Sequence, residues 1–563
     1  MRELADPLIE SSFRDALAAI ERGSDLTEMQ RRHWACSLRV TAAALDKPLD
    51  LVPARWIAVR QAIARLHHVP LGVTAKTLSN HRANVRAALR WFAGEASLPS
   101  RSAPLSPAWA SLRGRVDHFR TRANLSSLIR YCSARGIRPD EVDERVLDAC
   151  LAYRAATTAL RSDVAARRRI ARAWNHCAEG VDGWPTRRLV EPPPKATVAG
   201  PAWEEFPAGL RQDIERYLAE LTQVRRPQGG KRRPPCSAKT IAVRRAKLVA
   251  FVRKAARLGM PIGGITSFRA LLAPDRVERV LDAYRADGGG TPGIYTVELA
   301  EMLVSIAART EGLEAAALAR LDDLRAELGR YRLRGLTDKN MALVRKVLGS
   351  NVWRLVVNLP RQLMEEANAL RDRAPMKAAG LAQMAVAIGI LTVFPVRLGN
   401  LGATQIGENL LRPGGPGTCY WLAFPQYDVK NRIRLETPFD VELTELLDAY
   451  IQDHLPTLRR GCREPWLFPG VRGRKGLATL SAQVSRCIRK ATGLQVTVHQ
   501  FRHAAAALIL REKPGGYEHV RRILGHRNLQ TTVNFYIGLE TAQATREFGE
   551  IIRSKMRLEV EPL

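Results

Sequence analysis

The 563-residue chain is short of acid and of aromatic rings. Asp and Glu number 56 against 88 Lys and Arg, and Phe, Trp and Tyr make up 6%. Its eight cysteines (Cys36, Cys132, Cys150, Cys177, Cys236, Cys419, Cys462, Cys487) form no CxxC pair. That excludes the common zinc motifs and a disulfide framework, and it fits a reducing cytoplasm. No GxxxxGK[ST] loop and no Asp/Glu cluster points to an ATP or two-metal site. The first residues, MRELADPLIESSF, lack a secretory pattern. One apolar run, Ala378–Val396, approaches the length of a membrane span. Gln383 inside it and Pro395 near its end favour a helix buried on all sides of a large domain.

What is present is positive charge. The formal net charge is +32. A surface so basic repels itself unless a polyanion neutralises it, and nucleic acid does so with counterion release. A basic proteome rich in Arg would give the same composition. Hydrophobic content of 46% supports globular domains, and the length calls for three or four of them. The abundance of Ala, Leu and Arg favours helices.

Helical periodicity dominates the first two thirds. Thr77–Phe92 is expected to begin on a capping Thr77, with Val85, Leu89 and Phe92 inward and Arg82, Arg86 and Arg90 in an outward stripe. Residues 74–90 (TAKTLSNHRANVRAALR) align without gaps on residues 237–253 (SAKTIAVRRAKLVAFVR), with Arg82 opposite Arg245 and Arg90 opposite Arg253; Arg82, Arg86, Arg90, Arg244, Arg245 and Lys247 are the candidate DNA-backbone contacts. RYCSARG (130–136) echoes RKAARLG (253–259), and ERVLDA occurs at 144–149 and 278–283. These echoes suggest related small helical modules with basic faces; similarity by chance between Ala/Arg-rich helices is the plainer reading. The Pro-rich 184–201 and the basic 224–235 read as linkers, the latter either tracking a DNA backbone or merely solvated. From residue 418 the pattern changes. CYWLAF and RIRLETPF alternate as two strands joined by PQYDVKN, and helices resume at 441–453, 478–492, 503–511 and 517–524.

Four segments of the last third carry polar groups suited to a phosphate. They are Arg397 in FPVRLGNL, Lys430 in the hairpin turn, His499 and Arg502 in TVHQFRH, and His526 and Tyr536 in LGHRNLQTTVNFY. Singly each is unremarkable. In this order, on helix end, hairpin, helix start and C-terminal helices, they resemble the catalytic domain of the tyrosine site-specific recombinases, the phage integrase family. The resemblance covers roughly 376–549. GLTDKN (335–340) and the AKT helices look, less specifically, like the linker and core-binding segments of long bacterial integrases.

The resemblance implies a mainly α, multidomain fold: helical core-binding modules, then a mixed α/β catalytic domain with a small antiparallel sheet. The boundaries expected are an N-terminal helical region (1–110), a helical module with a Pro-rich linker (111–200), a core-binding domain (201–315), a helical connector (316–375) and the catalytic domain (376–563). It further implies that Arg397 and Arg502 clamp the non-bridging phosphate oxygens, a task suited to a planar, permanently charged fork. His499 would be the general base, Lys430 the general acid for the leaving 5′-oxygen, and His526 a donor to the phosphate. Tyr536 would be the nucleophile that forms a 3′-phosphotyrosine. Neither cofactor nor metal is implied. The partners implied are double-stranded DNA, three further copies in a homotetramer on paired sites, and partner recombinases or a directionality factor. Localisation would be cytoplasmic, with the nucleoid.

Two departures from the family pattern stand out. Asn400 occupies a place often acidic, and the His526–Tyr536 interval is one residue longer than the commonest spacing. His503 is expected to cap or buttress its helix, and Thr531 or Thr532 to start the helix that carries Tyr536. The tail stripe of Phe548, Ile551, Ile552 and Met556 either packs on its own domain or docks on a neighbouring subunit. Two other readings remain at this stage: a non-catalytic DNA-binding regulator on the same scaffold, and a type IB topoisomerase-like enzyme.

Overall fold

A computed structural model describes residues 11–94, 104–158, 163–193, 200–225, 232–332, 335–349, 352–459, 461, 464–471 and 473–557. The chain divides into two compact units, one formed by residues up to 193 together with those from 336 onward, the other by 194–335. Residues 226–231 of the basic 224–235 loop and 194–199 of the Pro-rich linker lie outside the described residues.

In the first unit, α1 (Phe13–Arg22), α2 (Glu28–Ala44), α3 (Trp56–Arg65) and α4 (Ala75–Phe92) enclose a core of Phe13, Ile20, Leu38, Ile63, Val85 and Leu89. The cap of α4 is Thr74, not the expected Thr77: Thr74 Oγ1 accepts the Thr77 N–H at 3.0 Å. A hydroxyl three residues before a free N–H satisfies it, so the helix starts one turn earlier. Next, α5 (Pro107–Gly114), α6 (Phe119–Ala134), α7 (Glu144–Thr157) and α8 (Val164–Gly180) pack around Trp109, Trp174 and Trp184. The indole N–H groups of Trp109 and Trp174 both reach backbone carbonyls at 2.8 Å, so these two rings are buried with their donors met, whereas Trp184 Nε1 has no partner.

The second unit holds α9 (Ala208–Glu220), α10 (Ala238–Arg257), α11 (Phe268–Leu271), α12 (Pro274–Asp287), α13 (Ile294–Ala307) and α14 (Ala315–Gly329) around Phe206, Ile214, Phe251 and Leu303. The sequence echoes have local counterparts. Ser237 caps α10 through the Thr240 N–H, as Thr74 caps α4. Both α6 and α10 end at a glycine with positive φ (Gly136, Gly259) and run into a short 3₁₀ turn, Pro139–Glu141 or Ile262–Gly264.

The C-terminal part of the first unit begins earlier than expected. Leu321 and Leu328 of α14 are buried in the second unit's core, whereas α15 (Asp338–Gly349) and α16 (Val352–Leu370) contribute Leu343, Val356 and Leu359 to the C-terminal core. The expected connector 316–375 is therefore shared between two cores, because each half carries its own apolar face. GLTDKN likewise leads into α15 instead of serving as a free linker.

The apolar run forms α17 (Pro375–Val393), buried along twelve residues at the centre of this core. It is the one described helix long and apolar enough to cross a membrane, and here α16, α19 and α21 cover it. Gly389 permits that closeness: a Cβ there would stand 2.9 Å from Leu443 Cδ1. After α18 (Leu398–Gly402), three antiparallel strands follow in the order β1 (Leu410–Leu411), β2 (Trp421–Phe424), β3 (Leu435–Pro438), with Leu422 opposite Thr437. The expected hairpin is present, and β1 extends it. The remaining helices are α19 (Val441–Ala449), α20 (Leu455–Arg459), α21 (Leu477–Thr492), α22 (Gln500–Glu512), α23 (Tyr517–Leu524), α24 (Leu529–Tyr536) and α25 (Thr541–Arg557). A π turn, Tyr450–His454, joins α19 to α20 where one continuous helix to 453 was expected.

Candidate active site

The site is assembled from chain reversals around α22. Arg502, in its first turn, is 3% exposed. Its Nη1 donates to the Pro395 carbonyl at 2.9 Å and its Nη2 to the Leu524 carbonyl at 2.5 Å, with His526 Nε2 at 3.5 Å. One guanidinium thus fastens the turn after α17 to the end of α23. Arg397 follows that turn as the N-cap of α18, and its shielded Nη1 has no hydrogen-bond partner. Burial lowers the pKa of both arginines, Arg502 to about 10, with Arg397 adding repulsion there. Two desolvated guanidiniums near one another, with no carboxylate paired to either among the described residues, favour an anion between them.

The hairpin loop brings Lys430 to the same place. Lys430 is exposed at the loop tip, and the loop is held on two sides. Asn400 Nδ2 donates to the Asp428 carbonyl at 3.2 Å, and Asn431 Nδ2 donates to the Gly525 carbonyl at 2.8 Å. This explains Asn400, because an ionised acid at that position could accept but not donate to a carbonyl. His499 opens to solvent at the start of α22, yet its pKa is lowered, first by desolvation of the ring and then by Arg502, Arg397 and Lys430.

Gly525 ends α23 in the left-handed region at φ +57°, and His526 follows. Burial, then Arg502 and Arg397, push His526 down to about 4, so it is neutral at pH 7. Its Nδ1 lies 2.9 Å from Thr532 Oγ1. The next helix starts on Asn528, whose side chain accepts the Gln530 N–H at 2.8 Å. The expected Thr531 or Thr532 cap is thereby corrected: Thr532 is buried inside the helix and spends its hydroxyl on His526. The helix runs from Leu529, and Tyr536 closes it. Tyr536 is 3% exposed, and burial raises its hydroxyl to about 12 against the opposing pull of Arg502.

All six expected residues therefore converge. His503, read from sequence as a buttress, is nearer the chemistry: its Nδ1 lies 3.0 Å from Tyr536 Oη. The available signal was its i+4 spacing from His499, which puts both rings on one helical face. Asn340 and Gln500 are further members that the sequence did not disclose. Among the described residues, no group of three or more His, Cys, Asp or Glu is placed to hold a metal.

Residues 418–543 match the family model described as the phage integrase family. The C-terminal domain belongs to the phage integrase family. Lys430, His499, Arg502, His526 and Tyr536 fall inside the matched segment, and Arg397 lies upstream of it. The chain that carries this integrase domain is also similar to transposase A from transposon Tn554 of Staphylococcus aureus, 36% identical over 72 residues. That match covers 12% of this chain and spans only 19% of the relative's length. Among solved structures, a lambda integrase(75-356) dimer bound to a COC' core site aligns at 18% identity and TM-score 0.33, covering 57% of this chain and 96% of that one. XerA recombinase aligns at 16% identity and TM-score 0.24, covering 60% and 98%.

Several of the expected DNA contacts upstream of the integrase domain have partners within the chain. Arg82 donates to the Leu66 carbonyl at 2.6 Å and caps α3. Arg244 donates to Tyr217, Arg245 pairs with Glu215, and Lys247 pairs with Glu298 at 2.7 Å. Arg90 is half-buried and Arg86 is exposed. Arg82, Arg244, Arg245 and Lys247 thus each have a partner within the chain. A different basic surface is less occupied. A groove of about 700 Å³ between α6 and α8 is lined by Arg120, Arg168, Arg169, Arg172, Asn124 and His176 among others, with no carboxylate among its described lining residues. Arg172 pairs with Glu191 at 3.2 Å, while Arg168 Nε is shielded without a partner. Outside the groove, Arg167 is paired with Glu144 and Asp148, and Arg188 with Glu179.

Proposed function

We propose that the protein is a site-specific DNA recombinase that cuts and rejoins strands through a 3′-phosphotyrosine, in the service of a mobile element. The observation that carries this reading is the uncompensated cationic pocket of Arg397 and Arg502 beside the buried hydroxyl of Tyr536. A phosphodiester between the two guanidiniums would present its phosphorus to that hydroxyl. Tyr536 gives its proton to His499 while Oη bonds phosphorus. The P–O5′ bond breaks with its electron pair on O5′, which takes a proton from Lys430. His526 donates to a non-bridging oxygen. Religation reverses each step, so the bond energy is kept and no cofactor is consumed.

The test is a suicide substrate, a nicked duplex carrying the ends of the protein's own element. Wild type is expected to form a covalent adduct and Tyr536→Phe none, with equal DNA binding. If wild type forms no adduct while both proteins bind, the catalytic reading is wrong and the non-catalytic regulator takes its place. The lambda integrase and XerA likenesses add nothing to this choice.

Duplex DNA is the proposed partner, the α6/α8 groove the proposed backbone contact, and the cytoplasmic nucleoid the proposed location. A tetramer on two sites, assembled in part through the exposed stripe of Phe548, Ile551, Ile552 and Met556 on α25, is the proposed assembly. Replacing Arg120, Arg168 and Arg169 together by Gln is expected to flatten the slope of log K against log salt by about 2–3, near 0.9 per phosphate lost. Adduct formation at saturating protein stays unchanged. A slope equal to wild type removes the groove from the DNA path.

A further inference from the structure

A chain of amide hydrogen bonds ends on the Tyr536 oxygen, and its direction can be read. Gln500 Oε1 accepts the Thr497 backbone N–H at 2.9 Å. A backbone N–H can only donate, so the Gln500 amide nitrogen must face the other way. It donates to Asn340 Oδ1 at 3.0 Å. That leaves Asn340 Nδ2 to face His503 Nε2 at 3.3 Å, as a donor. His503 Nε2 must therefore carry the lone pair, and in a neutral ring the single proton sits on Nδ1, 3.0 Å from Tyr536 Oη. Burial, with His499, Arg502 and His526 nearby, holds the ring's pKa down at about 4, so it is neutral at pH 7.

We infer that Asn340 and Gln500 fix the tautomer of His503 so that its Nδ1–H donates to the Tyr536 oxygen, making His503 a hydrogen-bond donor to the nucleophile and not a base. This rests on Tyr536 being the nucleophile. The consequences are specific. The phenol's own proton is not taken by His503 and leaves by the open side of the pocket, toward His499 in the scheme above. Negative charge on Oη, whether before attack or when the 5′-hydroxyl expels tyrosine during religation, is met by a donor already in place. His503 keeps its proton throughout, so the stoichiometry of the scheme is unchanged. Asn340 stands five residues after Gly335, so the chain sets the tautomer immediately after it leaves the second unit.

Asn340→Asp tests the polarity. The carboxylate is nearly isosteric but cannot donate, so it calls the proton to Nε2 and turns a bare Nδ1 toward Tyr536. Single-turnover adduct formation at pH 8 is expected to fall about 10²–10³-fold, the effect of losing one donor to a developing oxyanion. His503→Leu falls as far. His503→Asn, whose amide nitrogen takes the place of Nδ1, stays within about fivefold of wild type by retaining the donor. A purely structural role predicts no rescue by Asn. Nitrogen-15 shifts of His503 in the DNA-free protein read the tautomer directly and do not depend on the nucleophile. A proton on Nε2, or Asn340→Asp as fast as wild type, overturns the relay. An adduct retained by Tyr536→Phe instead overturns the assignment of the nucleophile, whichever tautomer is observed.

Discussion

Arg502→Lys is expected to reduce single-turnover adduct formation by roughly 10²–10³-fold, the usual cost of removing a preorganised oxyanion donor. Lysine keeps the charge and loses the fork. The guanidinium spans two backbone carbonyls, those of Pro395 and Leu524, which lie in different chain reversals. An ammonium is a single point and cannot bridge both while also facing a phosphate. One carbonyl then stays buried without a donor, at about 1–3 kcal/mol. For a domain of this size that lowers Tm by about 2–10 °C. Adduct kinetics with a thermal scan separates the two effects. A rate within threefold of wild type would mean that Arg502 is a structural clamp only.

Gly525→Ala is the second large effect. A non-glycine residue at φ +57° costs about 1–2 kcal/mol on conformational grounds. The added Cβ would also stand 2.7 Å from Leu435 Cδ2, at the start of β3. Relieving that contact moves the hairpin whose loop carries Lys430, or the turn that carries His526. The loop is tied to the same spot by Asn431 on the Gly525 carbonyl, so both general-acid and phosphate-donor positions shift together. Adduct formation is expected to fall about 10–100-fold, as misplacement of about an ångström does elsewhere. Gly415→Ala provides the control: its φ is +77°, and nothing lies within 4 Å of where the new methyl group would stand. That variant bears the strain alone and is expected to lose stability but not activity. Equal activity losses in the two variants would show that strain, and not the Leu435 contact, is responsible.

The candidate site was largely legible in the sequence because its residues sit at punctuation marks. Arg397 follows a proline that ends a buried helix, Lys430 lies in a polar turn between alternating strands, and His526 follows a helix-ending glycine. Local pattern announces such places. Groups brought together by tertiary packing are not announced. Asn340 lies 163 positions before His503, and nothing near either residue hints at their contact. The partners of the upstream arginines were hidden for the converse reason. Periodicity placed them on an outward stripe, but only packing reveals which carbonyl or carboxylate stands opposite, as at Arg82 and Arg245. The caps at Thr74 and Asn528 show the same limit at short range, since several hydroxyls or amides near a helix start compete and geometry decides between them. The connector was misjudged because apolar faces on α14 and α15 look alike in sequence, although each joins a different core.

The central claim, that Tyr536 attacks a DNA phosphodiester, is tested most directly by mapping the linkage. Adduct trapped on the nicked substrate is digested with protease and nuclease, and the nucleotide-bearing peptide is located by mass spectrometry. The account predicts a single peptide modified at Tyr536 through a 3′-phosphate, with a free 5′-hydroxyl on the released strand. A nucleotide on any other residue, or a 5′-phosphate linkage at Tyr536, would contradict it.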